Sequence, residues 1–388
     1  MRVLAISSPS TTHFMTAVPL MWALRAAGHE TMFLGQPDVT GMARAAGLPT
    51  TTLGSRFDAG EFFHSLPEGL RPIEAGLAQI PPGAWSKVGM AWVYHAKYLL
   101  EPYLEFATAW KPDLIITDPL EYTGLLIGGV LGVPCVHHRW SAEPMSSAGL
   151  GLAKNLLHGR ARRYGLEEVP DPDVVLDPFP AEWALPDVPA GTPIRPVPYN
   201  GGGTLPDWVR DAPEGRRVCA SFGMSTVELN GLPLIRHVAD AFDGLDGVEG
   251  IITLDRAHQE LLGPVPKQVR LVEPTPIQGL FEISDAVVHH GGGGSSITAL
   301  MTGLPQLLMP QLMDQHPRCE QIERSGVGIL LGDAGSQNDP SVIREALVNL
   351  LDKARYREAA VGLREVAGRL PSPAEVALQL EETAASCR

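Results

Sequence analysis

Four cysteines are few for 388 residues, and Cys135, Cys219, Cys319 and Cys387 stand far apart. No pair has the spacing of a zinc site or a redox motif, so a disulfide framework is excluded and reduced thiols in a cytoplasm are expected. Long apolar runs are also missing. None reaches the length that crosses a bilayer. The run at residues 3–6 is short and gives way to Ser-rich sequence, which reads as a first strand rather than a signal peptide. Positive charge is in deficit: 30 Lys and Arg against 44 Asp and Glu leave −14. A chain so acidic is a poor partner for nucleic acid or for an anionic membrane surface, whose binding rests on Lys and Arg. Any phosphate it binds must be held by local backbone dipoles. Two nucleotide fingerprints are lacking as well. The first turn, SSPSTTH, has no G-x-G-x-x-G, and no G-K-[ST] occurs anywhere. These absences argue against a nicotinamide dehydrogenase and against a P-loop enzyme.

What is present is an alternation of strands and helices. At this length two domains are expected. Residues 3–7 read as a strand, 13–27 as a helix, 31–34 as a strand and 39–46 as a short helix, the start of a parallel α/β sheet. Residues 54–90 read as irregular and aromatic, either a cover on the core or a binding loop. A helix over 91–110, a strand over 113–117, a helix over 122–131 and a strand over 135–138 follow. Ligands of open α/β sheets bind beyond the carboxyl ends of strands. Residues 7–13, Asp118 and residues 138–143 all fall on that edge. Regular pattern fades over 141–212, and 170–213 has the proline and glycine content of an interdomain linker. Alternation then resumes, with strands at 217–221, 250–254 and 269–272 and a helix at 233–243. Helices at 340–351, 355–370 and 373–387 close the chain. The reading is two α/β domains, 1–199 and 215–370, joined by a linker at 200–214 and followed by a terminal helix at 371–388. They face each other across a cleft, with a hinge at 201–203.

The most telling stretch is residues 286–329. A buried strand leads into four glycines (291–294), then a helix opened by Ser295 and Ser296. A glycine turn between strand and helix lets a phosphate meet bare N–H groups at the positive end of the helix dipole. Ser295 reads as the N-cap and a hydroxyl donor. His289 and His290 alternate, so one faces the core and the other the phosphate. Asp314 and Gln315 follow the next strand, where paired acceptors and donors suit sugar hydroxyls; a helix N-cap is the plainer role for Asp314. His13 sits where the first turn becomes a helix and fits a general base. The plainer role is a capping or surface histidine. Asp118 fits the acid that orients it, or a turn aspartate before Pro119. Glu121, His137, His138, Arg139 and Glu143 rank second. Asp171-Pro172-Asp173 has the form of a metal-binding D-x-D, but two aspartates around a proline in a linker read as a turn.

Taken together, these residues resemble the inverting family 1 glycosyltransferases of actinobacterial natural-product pathways, over essentially the whole chain. The most specific part is V-V-H-H-G-G-G-G-S-S…G-L-P-Q…P-Q-x-x-D-Q, residues 287–315. MRVL with His13 after the first strand, DPFP at 177–180, PYNGG at 198–202 and SFG at 221–223 also match. The resemblance implies the GT-B fold, two Rossmann-like parallel-sheet domains facing a cleft, with the C-terminal helix packing back on the first. It implies His13 as catalytic base with Asp118 as its partner. It implies a donor site of Ser221, Ser225, Val272, Thr275, His290, Gly292, Gly294, Ser295, Asp314 and Gln315. Acceptor contacts are expected from Ser10, Phe57, Phe62, Phe63, Trp85, Trp92, Arg139 and Glu143. The expected partners are a nucleotide-sugar donor, a dTDP-deoxysugar by preference, and a small apolar aglycone. No cofactor and no metal is called for; a homodimer or an accessory protein stays open. Pro274 stands where relatives often stack an aromatic on the nucleobase, and the turn before His13 is TTHF rather than the common G-H. Some members attach the sugar to carbon, with a carboxylate such as Asp118 or Glu143 as base. A sugar-nucleotide epimerase of the same fold and a non-catalytic binding homologue are the alternatives.

Overall fold

The computed structural model describes residues 1–58, 61, 66–67, 69–78, 89–211 and 215–387, with Met224 described in its backbone alone. The first half runs β1 (Arg2–Ile6), α1 (Thr11–Met15), α2 (Val18–Ala26), β2 (Glu30–Gly35), α3 (Pro37–Ala45), β3 (Thr50–Thr52), α4 (Met90–Trp110), β4 (Leu114–Thr117), α5 (Tyr122–Leu131), β5 (Cys135–His138), α6 (Met145–Arg163), β6 (Val174–Asp177) and β7 (Thr192–Pro193). The second runs β8 (Arg216–Ser221), α7 (Gly223–Thr226), α8 (Leu232–Ala241), β9 (Val248–Thr253), α9 (Arg256–Leu262), β10 (Val269–Val272), α10 (Ile277–Phe281), β11 (Ala286–His289), α11 (Gly293–Thr302), β12 (Gln306–Leu308), α12 (Gln315–Arg324), β13 (Gly328–Leu330), α13 (Ala334–Gln337), α14 (Pro340–Asp352), α15 (Ala354–Gly368) and α16 (Pro373–Ser386).

Each half builds one all-parallel sheet. The orders are β3-β2-β1-β4-β5-β6-β7 and β10-β9-β8-β11-β12-β13. Helices cover both faces, which is why strands such as RVLAI and LIIT are continuous apolar runs rather than alternating ones. In both sheets the order reverses beside the first strand, between β1 and β4 and between β8 and β11. A crevice opens at each such switch point, outside the carboxyl ends of the strands. The register puts Ile6 opposite Thr117 and Ser221 opposite His289. The residues that follow these four positions therefore line the two crevices.

Three expectations change. Regular structure does not fade from residue 141, since α6 spans Met145–Arg163, and within 170–213 the strands β6 and β7 complete the first sheet. Helix α6 was obscured by glycines and by a narrow apolar stripe, Gly149, Ala153, Leu157 and Ala161, spaced by four. Arg160, Arg162 and Arg163 in its last turn complement the helix dipole. Second, the helix read over 13–27 is two helices, α1 and α2, and Pro19 falls in the first turn of the second, where its missing N–H costs nothing. Third, Ser295 does not cap α11. Gly292 is the N-cap, in extended conformation, and Ser295 lies three residues inside.

The two halves touch at several points. Arg71 reaches Gln337 Oε1 at 2.8 Å and Gln311 Oε1 at 3.3 Å. Asn200 Nδ2 donates to Thr298 Oγ1 at 3.1 Å. Helix α16 starts in a Ser372–Glu375 capping box with Pro373 in its first turn. It then buries Val376, Ala377 and Leu380 in the same cluster as Val18, Leu20 and Met21 of α2, and Glu381 meets His29 Nε2 at 2.8 Å. The end of the chain thus returns to the first half. Among the described residues no helix is long and apolar enough to cross a membrane.

Candidate active site

His13 and Asp118 come from the ends of β1 and β4, neighbours in the sheet, and the structure brings them together. His13 Nδ1 lies 3.5 Å from Asp118 Oδ1. Ser8 sits between them: its Oγ is 3.0 Å from His13 Nδ1 and donates to Asp118 Oδ1 at 3.0 Å. Asp118 also accepts from Ser8 N at 2.7 Å, Ser7 Oγ and Leu120 N, both at 3.1 Å. Burial pushes this carboxyl up, but the bond and charge of His13 and the backbone N–H bonds outweigh it and hold Asp118 below the usual carboxylate range. An ionised carboxylate only accepts, and Ser8 spends its proton on it, so Nδ1 is the nitrogen that donates to Ser8 Oγ, and whenever the ring carries a single proton Nε2 holds the free lone pair. The imidazole stacks on Trp140 with centroids 3.8 Å apart and planes 4° from parallel, and Trp92 stands at 6.1 Å. Its orientation is fixed from two sides.

The acceptor side is partly assembled around the same ring. Phe57 stacks on Trp92 at 5.8 Å and meets His95 edge-on at 5.3 Å, so an aromatic wall runs away from His13. Ser10 sits half-buried at the start of α1, its Oγ 3.2 Å from Thr12 Oγ1. Phe62, Phe63 and Trp85 lie outside the described residues. Arg139 and Glu143 form a separate buried group. Arg139 donates to Asp177 Oδ1 at 2.7 Å and to the Pro189 carbonyl at 3.0 Å. Glu143 Oε2 accepts from Met145 N and Ser146 N, closing the start of α6. Burial raises Glu143 to about 7. Glu121 starts α5, accepting from Thr123 N at 3.1 Å, and lies 3.5 Å from His95 Nδ1. Burial raises Glu121 to about 8 and lowers His95 to about 4. His137 and His138 are both buried. The D-x-D carboxylates are occupied: Asp173 accepts from Cys135 N and Asp171 pairs with Lys154, each at 2.8 Å.

The glycine stretch turns at Gly291, whose φ of +78° suits glycine, and a side chain there would strike the Cys319 sulfur. Ser296 N finds the Gly292 carbonyl, so the N–H groups of the preceding first turn lack helical partners, as at any helix start. His289 is the inward histidine, between Gln306 Oε1 at 3.0 Å and Gly291 N at 3.0 Å. His290 is the outward one. Its ring fits between Gly223 and Gly292: a side chain at Gly292 would collide with it, and one at Gly223 would press on it at 3.1 Å. Burial, with the charge of Arg318 behind it, lowers His290 to about 4 and leaves it neutral. Ser221 Oγ accepts from Thr253 Oγ1 at 3.0 Å, and Ser225 is exposed on α7. Val272 is buried at the end of β10, and Thr275 Oγ1 bonds the Thr204 carbonyl at 3.2 Å. Asp314 is the N-cap residue of α12, but its carboxylate makes no cap bond and instead meets Arg318 at 3.1 Å. Gln315 turns its carbonyl inward, onto Gln311 N at 2.8 Å and Leu312 N at 3.0 Å.

These two groups of residues confront one another directly. A side chain at Gly293 would meet the Trp140 carbonyl at 2.7 Å and Ser141 Cβ at 3.0 Å. The residue on which His13 stacks thus packs on the start of α11. Ser8 and Trp140 fall within the edge segments 7–13 and 138–143 but were given no role from sequence, and Arg318 was not picked out. Each lies beside a residue that was, and that proximity was the available signal.

Two family models match the chain. Erythromycin biosynthesis protein CIII-like, N-terminal domain, matches residues 22–223, and its C-terminal counterpart matches 236–383. The 3-alpha-mycarosylerythronolide B desosaminyl transferase of Saccharopolyspora erythraea is 31% identical, covering 100% of this chain and 99% of that protein. Aklavinone 7-beta-L-rhodosaminyltransferase of Streptomyces galilaeus is 32% identical, covering 100% and 97%. Among solved structures, the spinosyn rhamnosyltransferase SpnG superposes with a TM-score of 0.86 at 33% identity, over 98% of this chain and 100% of that one. Structures of that enzyme complexed with thymidine diphosphate and with the spinosyn aglycone superpose equally well.

Proposed function

The chain belongs to the erythromycin biosynthesis protein CIII-like family and is a GT-B deoxysugar glycosyltransferase of natural-product biosynthesis, and from that premise we propose a dTDP-deoxysugar donor, an apolar polyketide-like aglycone and inverting transfer to oxygen. His13 Nε2 takes the proton of the acceptor hydroxyl as that oxygen attacks the anomeric carbon. The bond to the diphosphate breaks on the opposite face, and the electron pair leaves with the diphosphate. The N–H groups of Gly292, Gly294 and Ser295 and the imidazole of His290 meet its growing charge in the manner of an oxyanion hole. Ser221 and Ser225 line the diphosphate from β8 and α7, Asp314 and Gln315 face the sugar, and Val272 to Thr275 holds the base. Metal-free transfer fits the occupied Asp171 and Asp173. The first domain, 1–199, takes the acceptor and the second, 215–370, the donor.

The observation that carries this reading is the anchored imidazole. Nδ1 is held through Ser8 and Asp118 while the ring lies flat on Trp140, whose carbonyl abuts the glycine stretch. It also favours oxygen over carbon linkage. Asp118 spends its oxygens on four donors behind Ser8, and Glu143 is closed against α6, so neither carboxylate is presented as a base.

Incubation with dTDP- and UDP-sugars and a panel of aglycones, read by mass spectrometry, identifies donor and acceptor together. NMR of the product gives the linkage. His13→Ala is expected to cost on the order of 10²- to 10⁴-fold in turnover, the usual worth of a general base, with thymidine diphosphate affinity kept. Full activity in that variant sinks the mechanism. Turnover of donor without any acceptor would favour an epimerase instead.

A further inference from the structure

Arg318 has no exposed surface, and the reaction as written gives it no task. A buried cation is costly unless paired and hydrogen-bonded. Its three donor groups reach three different parts of the cleft. Nε donates to the Ala142 carbonyl at 2.8 Å, in the loop that carries Trp140. Nη1 donates to the Gly291 carbonyl, in the glycine stretch, and Nη2 to Asp314 Oδ2 at 3.1 Å. Lys would place one ammonium at one of these points and leave the others unpaired.

Two consequences follow from elementary geometry and charge. A trans peptide points its C=O and N–H in opposite directions. Holding the Gly291 carbonyl therefore turns the Gly292 N–H away from the buried guanidinium and out of the interior. The charge of Arg318 is also unusual in its place. Residues 271–317 contain no Lys or Arg, and the chain as a whole is at −14. Asp314 shields the guanidinium incompletely, because its own side chain is 25% exposed. The field reaches the cradle: Arg318 contributes, after burial, to keeping His290 neutral.

We propose that Arg318 is a positioning residue for transfer, holding the glycine stretch and Asp314 in register with the Trp140–His13 stack and supplying the fixed positive charge beneath the diphosphate. This rests on the reading of the glycine stretch as the donor-diphosphate site. The test uses the full-length chain with Arg318→Met and Arg318→Lys, each checked for a cooperative thermal melt. Thymidine diphosphate is the calorimetric probe, and kcat and acceptor KM are measured with the donor and acceptor found active. Arg318→Met is expected to weaken thymidine diphosphate about tenfold or more, and Arg318→Lys by less than about threefold, since Lys keeps the charge. Both are expected to lower kcat with acceptor KM little changed, since neither side chain reaches all three acceptors. If the Met variant does not fold, the Lys variant decides: lowered kcat with affinity retained supports the proposal. Equal loss of affinity in both variants, or wild-type kcat in either, overturns it. Failure of the unsubstituted chain to bind thymidine diphosphate overturns the donor-site reading instead.

Discussion

Ser8 decides what His13 and Asp118 are able to do. Its hydroxyl accepts from the imidazole and donates to the carboxylate, so the carboxylate orients the ring largely through an intermediary. Asp118→Asn is expected to lower kcat more than Ser8→Ala, because the amide presents a donor where the serine also donates and upsets the tautomer. The serine change should cost about 1 kcal/mol, roughly fivefold, the ordinary worth of one hydrogen bond. Steady-state kinetics rank the two, and thymidine diphosphate affinity should be kept in both. Equal rates in the two variants would mean that the carboxylate does not set the tautomer. Glu121 offers a pH test of stability. Burial raises it to about 8 in the fold, so the folded chain keeps a proton that an unfolded glutamate loses near its ordinary value. Stability from this group is complete below that ordinary value and is lost as pH rises through about 8. Glu121→Gln should therefore flatten the fall in melting temperature between roughly pH 5 and pH 8, measured by circular dichroism; parallel curves would refute the assignment.

At the level of elements, the switch points of the two sheets explain why the position of several candidate residues beside the cleft was legible in the sequence. A residue placed at the end of β1, β4, β8 or β11 is in the cleft by topology: Ser221 ends β8, Asp118 and His290 directly follow β4 and β11, and His13 stands in α1 just after β1. What the sequence hid has physical causes. Helix α6 carries its apolar face as a single row interrupted by glycine, so no broad amphipathic stripe marks it. The cap of α11 was misread because extended glycine can serve where serine is preferred. Gln315 spends its side-chain carbonyl on the turn before α12, accepting from Gln311 N and Leu312 N, so its proposed contact with the sugar falls to the amide N–H groups. Gly291 permits a direct test. Gly291→Ala forces a left-handed backbone onto a residue with a Cβ, at about 1–2 kcal/mol, and drives that Cβ into Cys319. We expect a lowered melting temperature and at least a tenfold weaker hold on thymidine diphosphate. The double change with Cys319→Ala should restore only the part due to collision, because the backbone strain remains.

The whole molecule is negatively charged, yet its proposed donor is an anion. Long-range repulsion should slow encounter, and salt should relieve it. The association rate of thymidine diphosphate is expected to rise several-fold between roughly 20 and 200 mM salt, the reverse of a protein that draws phosphate with a basic surface. Stopped-flow traces showing a fall would mean that local cations outweigh the net charge. The return of α16 to the first half bears on how the chain comes into being. While the ribosome is still translating the second half, the nascent first half has no Val376, Ala377 or Leu380 to lay against Val18, Leu20 and Met21. That face stays bare until α16 has been made. A fragment stopping at residue 199 should be prone to aggregate. A synthetic peptide of residues 371–388 supplied in trans should raise its soluble yield, and a yield unmoved by the peptide would show that the face is protected in some other way. Helix α16 thus shuts the hydrophobic seam of the part made first, and it does so only after the second half has been made.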